Sequence, residues 1–117
     1  MNFHGRVQGK KALITGAAQG LGAATARMLA RHGAQVLLTD LNVGAAQDVA
    51  HSINTEIGNE VAWGFRHDAT SQDDWKAALD HAHFRMSGLS VLVNNAGLVR
   101  TGSVEDLELD QWHQVMR

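Results

Sequence analysis

A glycine-rich run near the amino terminus carries residue types that can hold a phosphate group. The run covers residues 15–22, reads Thr-Gly-Ala-Ala-Gln-Gly-Leu-Gly, and stands between a strand-length apolar run and a helical pattern. Glycine tolerates positive φ and lets the backbone approach a pyrophosphate, while the amino end of a helix offers free N–H groups and a positive dipole end. In this context the run predicts dinucleotide binding. The alternative interpretation is a turn that only packs a helix against a strand.

A carboxylate ends the next apolar run. Asp40 follows Gly16 at a separation close to the ~20 residues expected for an acid that binds the adenosine ribose. Such a carboxylate accepts hydrogen bonds from the ribose hydroxyls and repels a 2′-phosphate, which favours NAD over NADP. Gln19 is neutral and no arginine closely follows Asp40, and both features indicate NAD as well. The alternative is a surface aspartate that caps a helix over residues 42–58.

Polar residues also follow the third and fourth apolar runs. Asp68 follows the third run, and the sequence Asn-Asn-Ala-Gly at residues 94–97 follows the fourth. Carboxyl ends of parallel strands meet at one edge of a sheet, where ligands bind in open α/β folds. We interpret Asp68 as an acceptor for the adenine amino group, with the backbone at Ala69 beside the ring. The alternative is an ordinary loop that leads into a helix cap at Ser71.

Alternating apolar runs and amphipathic segments predict the elements that position these residues. Strands are predicted at residues 11–15, 36–39, 61–65 and 89–93. The helices between them are predicted to end at Gly33, Gly58 and Gly88, and a last helix is predicted to begin near Asp110. Parallel strands need crossover connections, which are right-handed. The sequence therefore predicts an α/β, doubly wound parallel sheet, a Rossmann fold, with strand order 3-2-1-4.

The apolar spacing also predicts which residues each helix buries. For the first helix these are Leu21, Ala24, Thr25, Met28 and Leu29. For the second they are Ala46, Val49, Ala50, Ile53 and Ile57, and for the third Trp75, Ala78, Leu79, Ala82 and Met86. Ser71 is expected to cap the third helix with Asp74 at its third position, Trp63 to lie in the core, and His67 to be a loop residue.

Composition excludes several classes of function. Hydrophobic residues make up 44% and charged residues 19%, which indicates a globular chain, and the net charge of −2 gives no case for nucleic acid or an anionic membrane. No apolar run reaches the ~18–20 residues of a membrane span. There is no cysteine, which excludes disulfides and thiolate metal sites and fits a cytoplasmic protein. His81 and His83 cannot converge on one metal from a helix, so no metal site is expected.

The glycine run, Asp40, Asp68 and the Asn-Asn-Ala-Gly sequence together resemble the short-chain dehydrogenase/reductase family over residues 10–117, after a lead-in at 1–9. The resemblance implies an NAD cofactor, a small alcohol or ketone as substrate, and a homo-tetramer. It also implies that Asn94 braces the sheet and that Thr15 ties the glycine turn to neighbouring strands. The residues implied around the cofactor are Gly16, Gln19, Gly20, Leu21, Gly22, Asp40, Leu41, Asp68, Ala69, Asn95, Ala96 and Gly97.

The sequence departs from the family at the catalytic residues. The family uses a Ser, a Tyr-x-x-x-Lys pair and an Asn downstream of the Asn-Asn-Ala-Gly sequence, and this chain has no Tyr. We therefore assign no catalytic residue. We expect the amino-terminal cofactor-binding part of an NAD-dependent dehydrogenase that interconverts a secondary alcohol and a ketone, inactive as 117 residues alone. The alternatives are a non-catalytic dinucleotide-binding module with a redox-sensing or regulatory role, and a fragment that folds only when its fourth strand is covered.

Overall fold

The structure, a computed structural model, describes residues 7–95. The strands are β1 (Lys11–Thr15), β2 (Gln35–Asp40), β3 (Ala62–Arg66) and β4 (Val91–Asn94). The helices are α1 (Gly20–Arg31), α2 (Val43–Ile57) and α3 (Gln72–Met86). The elements agree in type and order with the predicted ones; the bounds of β1 are as predicted, and those of the other strands differ by one or two residues. The helix predicted from Asp110 lies outside the described residues.

The four strands form one parallel sheet in the order β3-β2-β1-β4, which confirms the predicted fold and topology. Leu13 of β1 lies opposite Leu37 of β2 and Leu92 of β4. β1 and β2 are nearly continuous apolar runs because helices cover both faces of the sheet. This arrangement brings the carboxyl ends of all four strands to one edge.

Two apolar clusters cover the two faces of the sheet. On one face α1 and α2 pack against Ile14, Val36 and Leu38. On the other face α3 packs Trp75 against a layer formed by the strand residues Leu13, Leu37 and Leu92. Alternate strand residues thus enter opposite clusters, as the pleat of a strand requires.

The buried face of α1 differs from the predicted one. Its buried residues are Gly22, Ala26 and Ala30. Leu21 is 70% exposed and Met28 is 50% exposed, and Ala24 is exposed as well. The small residues let the helix axis approach the sheet closely, so the larger apolar residues point outward. The prediction was therefore wrong for Leu21, Ala24 and Met28, whereas Leu29 is partly buried and packs against the core.

The helix caps follow the predicted chemistry with one exception. The Ser71 side chain accepts a hydrogen bond from Asp74 N at 3.1 Å, which confirms the predicted cap of α3. Gly58 ends α2 in the left-handed region at φ 85°. At the end of α3 it is Ser87, at φ 62°, and not Gly88 that takes the left-handed cap position.

Strand β3 lies at an edge of the described sheet and is covered by α2. The Asn54 side chain of α2 accepts hydrogen bonds from the N–H groups of Val61 and Ala62, both at 2.8 Å, and donates one to the Ala62 carbonyl at 2.9 Å. A Cβ at Gly64 would lie 2.6 Å from the backbone nitrogen of a residue of α2. Glycine there allows the close approach of α2. Trp63, predicted to lie in the core, is only partly buried.

Candidate functional site

A cleft of about 310 Å³ opens at the carboxyl edge of the sheet. It is lined by Thr15, Gly16, Asp40, Leu41, His67, Asp68, Ala69 and Thr70. The ends of β1, β2 and β3 therefore bring together residues that the sequence singled out on three separate motifs. The volume lies at the lower end of the range of small-molecule sites, about 300–1,000 Å³.

The glycine turn leads into a helix whose amino end has no side-chain cap. Gly16 and Gly20 both have φ 61°, a backbone conformation that glycine adopts without steric cost. Gln19, the N-cap residue of α1, has an extended backbone, and its side chain makes no capping hydrogen bond. The first N–H groups of a helix have no intrahelical partner, so this end of α1 can accept an anion.

Gly22 is the residue at which α1 comes closest to the turn. A Cβ there would lie 2.3 Å from the Gly16 carbonyl oxygen and 3.0 Å from Asn95 Nδ2. No side chain larger than hydrogen fits without moving backbone atoms. Gly22 therefore has a packing role, and it sets the distance between α1 and the end of β1.

Side chains from β4 brace the glycine turn. Thr15 Oγ1 donates a hydrogen bond to Asn94 Oδ1 at 2.8 Å, and both residues are buried. Asn95 Nδ2 donates to the Gly16 carbonyl at 3.2 Å. These bonds confirm that Asn94 braces the sheet and that Thr15 ties the turn to a neighbouring strand. Asn95 gives the turn a second attachment to the end of β4.

Asp40 is bound to the backbone on both sides. Its Oδ2 accepts a hydrogen bond from Ala18 N of the glycine turn at 3.1 Å, and its Oδ1 accepts one from Asn42 N at 3.0 Å. The N-cap of α2 is Asn42, whose side chain accepts from Ala45 N, so the interpretation of Asp40 as that cap is wrong. The bond to Ala18 was not predicted, because nothing in the spacing shows which amide the carboxylate meets.

Asp68 is held in a turn by Thr70. Asp68 Oδ1 accepts hydrogen bonds from Thr70 N at 2.9 Å and from Thr70 Oγ1 at 2.6 Å. These bonds lower the pKa of the Asp68 carboxyl below its usual value, with a smaller contribution from the positive charge of Arg66. Asp68 is therefore ionised at neutral pH and can accept a hydrogen bond from a ligand amino group.

His67 lies in the loop that follows β3, as predicted, but its side chain is buried. It is 3% exposed, and its Nδ1 lies 2.9 Å from Thr39 Oγ1. The backbone N–H of His67 donates to the Asp40 carbonyl at 3.0 Å. The imidazole ring packs edge-on against the Trp75 ring, with centroids 4.4 Å apart. Burial lowers the pKa of His67, so the ring is neutral at physiological pH.

The remaining predicted residues lie at different distances from the cleft. Leu41 lines it although the side chain is 61% exposed. Five predicted cofactor-binding residues do not line the cleft, and they lie in the glycine turn or next to it: Gln19, Gly20, Leu21, Gly22 and Asn95. Ala96 and Gly97 lie outside the described residues. Within residues 7–95, no three His, Cys, Asp or Glu side chains gather to hold a metal, and no helix is long and apolar enough to cross a membrane.

Comparison with known proteins identifies the family. The sequence model of the short chain dehydrogenases matches residues 10–117. The chain belongs to the short-chain dehydrogenase family. Members of the family are oxidoreductases that bind a nicotinamide dinucleotide.

Relatives match nearly all of this chain but less than half of their own length. The chain is 44% identical over 115 residues to trans-4-hydroxycyclohexanecarboxylate dehydrogenase of Sinomonas cyclohexanicum, covering 95% of this chain and 44% of that protein. A short chain dehydrogenase from Burkholderia cenocepacia J2315 in complex with NADP has a TM-score of 0.71 and 40% identity, over 91% of this chain and 43% of that one. The 3-ketoacyl-(acyl-carrier-protein) reductase of Brucella melitensis complexed with NADH has a TM-score of 0.71 and 31% identity, over 93% and 43%.

Proposed function

We propose that this chain is the NAD(H)-binding part of a short-chain dehydrogenase that interconverts a secondary alcohol and a ketone. The observation that carries the proposal is the position of Asp40, which lines the cleft beside Gly16 and is bonded to Ala18 of the glycine turn. One carboxylate thus lies within reach of a ribose that is attached to a diphosphate at the amino end of α1. No lysine or arginine lines the described cleft to neutralise a 2′-phosphate.

The residues fit a dinucleotide along the whole described edge of the sheet. The diphosphate would bind at the uncapped amino end of α1, and the adenosine ribose would bind to Asp40. The adenine ring would lie against the segment from Asp68 to Thr70. When bound, the nicotinamide ring supplies the hydride acceptor or donor of the reaction. The role of the described residues is to bind and orient the adenosine half of the cofactor. Ala96 and Gly97, which lie outside the described residues, belong to the proposed site through the resemblance to the family.

Cofactor preference tests the proposal through Asp40. NADH and NADPH are titrated against the 117-residue chain, with tryptophan fluorescence and calorimetry as the readouts. We expect NADH to bind about 10- to 100-fold more tightly, the range of one charge-assisted hydrogen bond gained or lost. Asp40→Ala should remove most of this preference, whereas Asp48→Ala, an exposed aspartate of α2, should leave it unchanged. Equal affinity of the unaltered chain for both cofactors would contradict the assignment.

Catalytic turnover separates the dehydrogenase from the alternative module. The sequence has no Tyr, the residue that serves as general acid or base in the family, so we expect no turnover from these 117 residues alone. The absence of Tyr equally fits a non-catalytic dinucleotide-binding module. A Tyr-x-x-x-Lys pair encoded downstream of Arg117 would support the dehydrogenase. Steady turnover of an alcohol by purified chain of confirmed mass would contradict the expectation. The cytoplasmic location and the tetramer stay predictions.

A further inference from the structure

The segment that follows β3 is fixed by backbone and side-chain groups of two other elements. From β2, the Asp40 carbonyl accepts from His67 N at 3.0 Å, and Thr39 Oγ1 lies 2.9 Å from His67 Nδ1. From the first turn of α3, Asp74 Oδ2 accepts from Asp68 N at 2.7 Å. The main chain at His67 and Asp68 is therefore attached to β2 and α3.

Trp75 makes the attachment that is nearest to the proposed adenine position. Its Nε1 donates a hydrogen bond to the Ala69 carbonyl at 2.8 Å, and the side chain is 1% exposed. The same indole packs edge-on against the ring of His67. One buried side chain thus contacts the residues on both sides of Asp68 without lining the cleft itself.

We propose that Trp75 is a positioning residue for adenine recognition, acting through its hydrogen bond to the Ala69 carbonyl. The bond fixes the Ala69–Thr70 peptide, whose N–H donates to Asp68 Oδ1, and with it the direction of the Asp68 carboxylate toward the adenine amino group. The ligand class is a 6-aminopurine nucleotide. This proposal rests on the proposed function, since it assumes that the adenosine half of the cofactor occupies the cleft.

The binding test compares NADH with its deamino analogue, in which hypoxanthine replaces adenine and the amino group is absent. Trp75→Phe keeps a ring and removes the indole N–H. We expect NADH affinity to fall about 3- to 10-fold, the effect of one neutral hydrogen bond, and the deamino analogue to lose less. The preference for NADH over the analogue therefore falls. Trp63→Phe is the matched control, because Trp63 packs against the same cluster and its Nε1 has no partner within residues 7–95.

A general loss of stability would lower both affinities by the same factor, and that result would overturn the proposal. An unchanged preference for NADH in Trp75→Phe would overturn it as well. If Trp75→Phe does not fold, benzothienylalanine at position 75 gives the same test, because it retains the shape of the indole and lacks the N–H donor.

A measurement without ligand separates this proposal from the proposed function. The Thr70 N–H donates to Asp68 Oδ1, and the Ser71 N–H donates to the Asp68 carbonyl at 3.0 Å. Hydrogen exchange at these two amides should be faster in Trp75→Phe and unchanged in Trp63→Phe. Equal exchange in the two variants overturns the positioning role whatever binds. Faster exchange in a chain that binds no NADH supports the fixing of the segment and overturns the proposed function alone.

Discussion

Asp40 links the glycine turn to the start of α2 through hydrogen bonds to the backbone of each. Its two carboxylate oxygens accept from Ala18 N of the glycine turn and from the N–H of Asn42, the N-cap residue of α2. The carboxylate is therefore held in one orientation, and the proposed contact with a ribose needs no further ordering of its side chain. A substitution at this position changes the shape of the turn as well as the proposed contact with the sugar.

The tight contact at Gly22 leads to a prediction for stability. We expect Gly22→Ala to lower the free energy of unfolding by about 1–3 kcal/mol, because the added methyl group meets the Gly16 carbonyl and overpacks the turn. Urea denaturation gives the measurement. Gly44→Ala is the control, since a Cβ there meets only Asn42 Oδ1 at 3.7 Å, an ordinary contact. Equal stability of the two variants would contradict the packing role of Gly22.

Burial of His67 leads to a prediction for the pH dependence of stability. The folded-state pKa of His67 lies below its usual value of 6.5, so the unfolded chain binds more protons in the window just below that pH. Stability is complete above about pH 6.5 and falls as the pH drops through the folded-state pKa. His81 contributes in the same direction, because burial and then the charge of Arg85 lower its pKa too.

The contribution of His67 can be measured from urea denaturation between pH 7.5 and pH 5.5. His67→Asn keeps a polar atom near Thr39 and does not titrate in this window, so the slope of stability against pH should decrease. His51→Asn is the control, because His51 is exposed on α2. The same slope in the His67 variant and the unaltered chain would show that another group is responsible.

Among the elements, β3 depends on a side chain to satisfy its outer edge. Asn54→Ala removes three hydrogen bonds to Val61 and Ala62, and we expect it to lower the free energy of unfolding by about 2–3 kcal/mol. An uncovered strand edge also pairs with other chains, so aggregation during refolding should increase, measured by light scattering. Asn59→Ala, at an exposed position beyond α2, should change neither quantity. No change in stability for the Asn54 variant would contradict its bridging role.

Element order, strand order and the location of the cleft could all be predicted from the sequence. They depend on apolar runs and on glycine and aspartate at strand ends, which are local signals. The face of α1 could not be predicted, because burial of Gly22 and Ala26 instead of Leu21 depends on how close the helix lies to the sheet. The bonds of Asp40 to Ala18 and of Trp75 to Ala69 join separate elements, and no local pattern reports them.

For the molecule as a whole, the cleft joins the ends of three strands, so a ligand there stabilises the whole fold. Binding to the native state alone adds about 2.7 kcal/mol at a ligand concentration 100 times the dissociation constant. We expect NADH at that excess to raise the free energy of unfolding by this amount and to raise the midpoint of thermal unfolding. Asp40→Ala should reduce the increase at the same NADH concentration. An increase of equal size with NADPH at equal concentration would contradict the preference for NAD.

Thr15 Oγ1 donates to Asn94 Oδ1 and Asn95 Nδ2 donates to the Gly16 carbonyl, and each of these hydrogen bonds spans 79 residues of the chain. During synthesis the glycine turn leaves the ribosome well before its partners do, since translation proceeds at about 5–20 residues per second. We therefore expect the glycine turn to reach its final conformation only after β4 has been synthesised and has paired with β1. Coenzyme capture by nascent chains of increasing length should begin abruptly at that point.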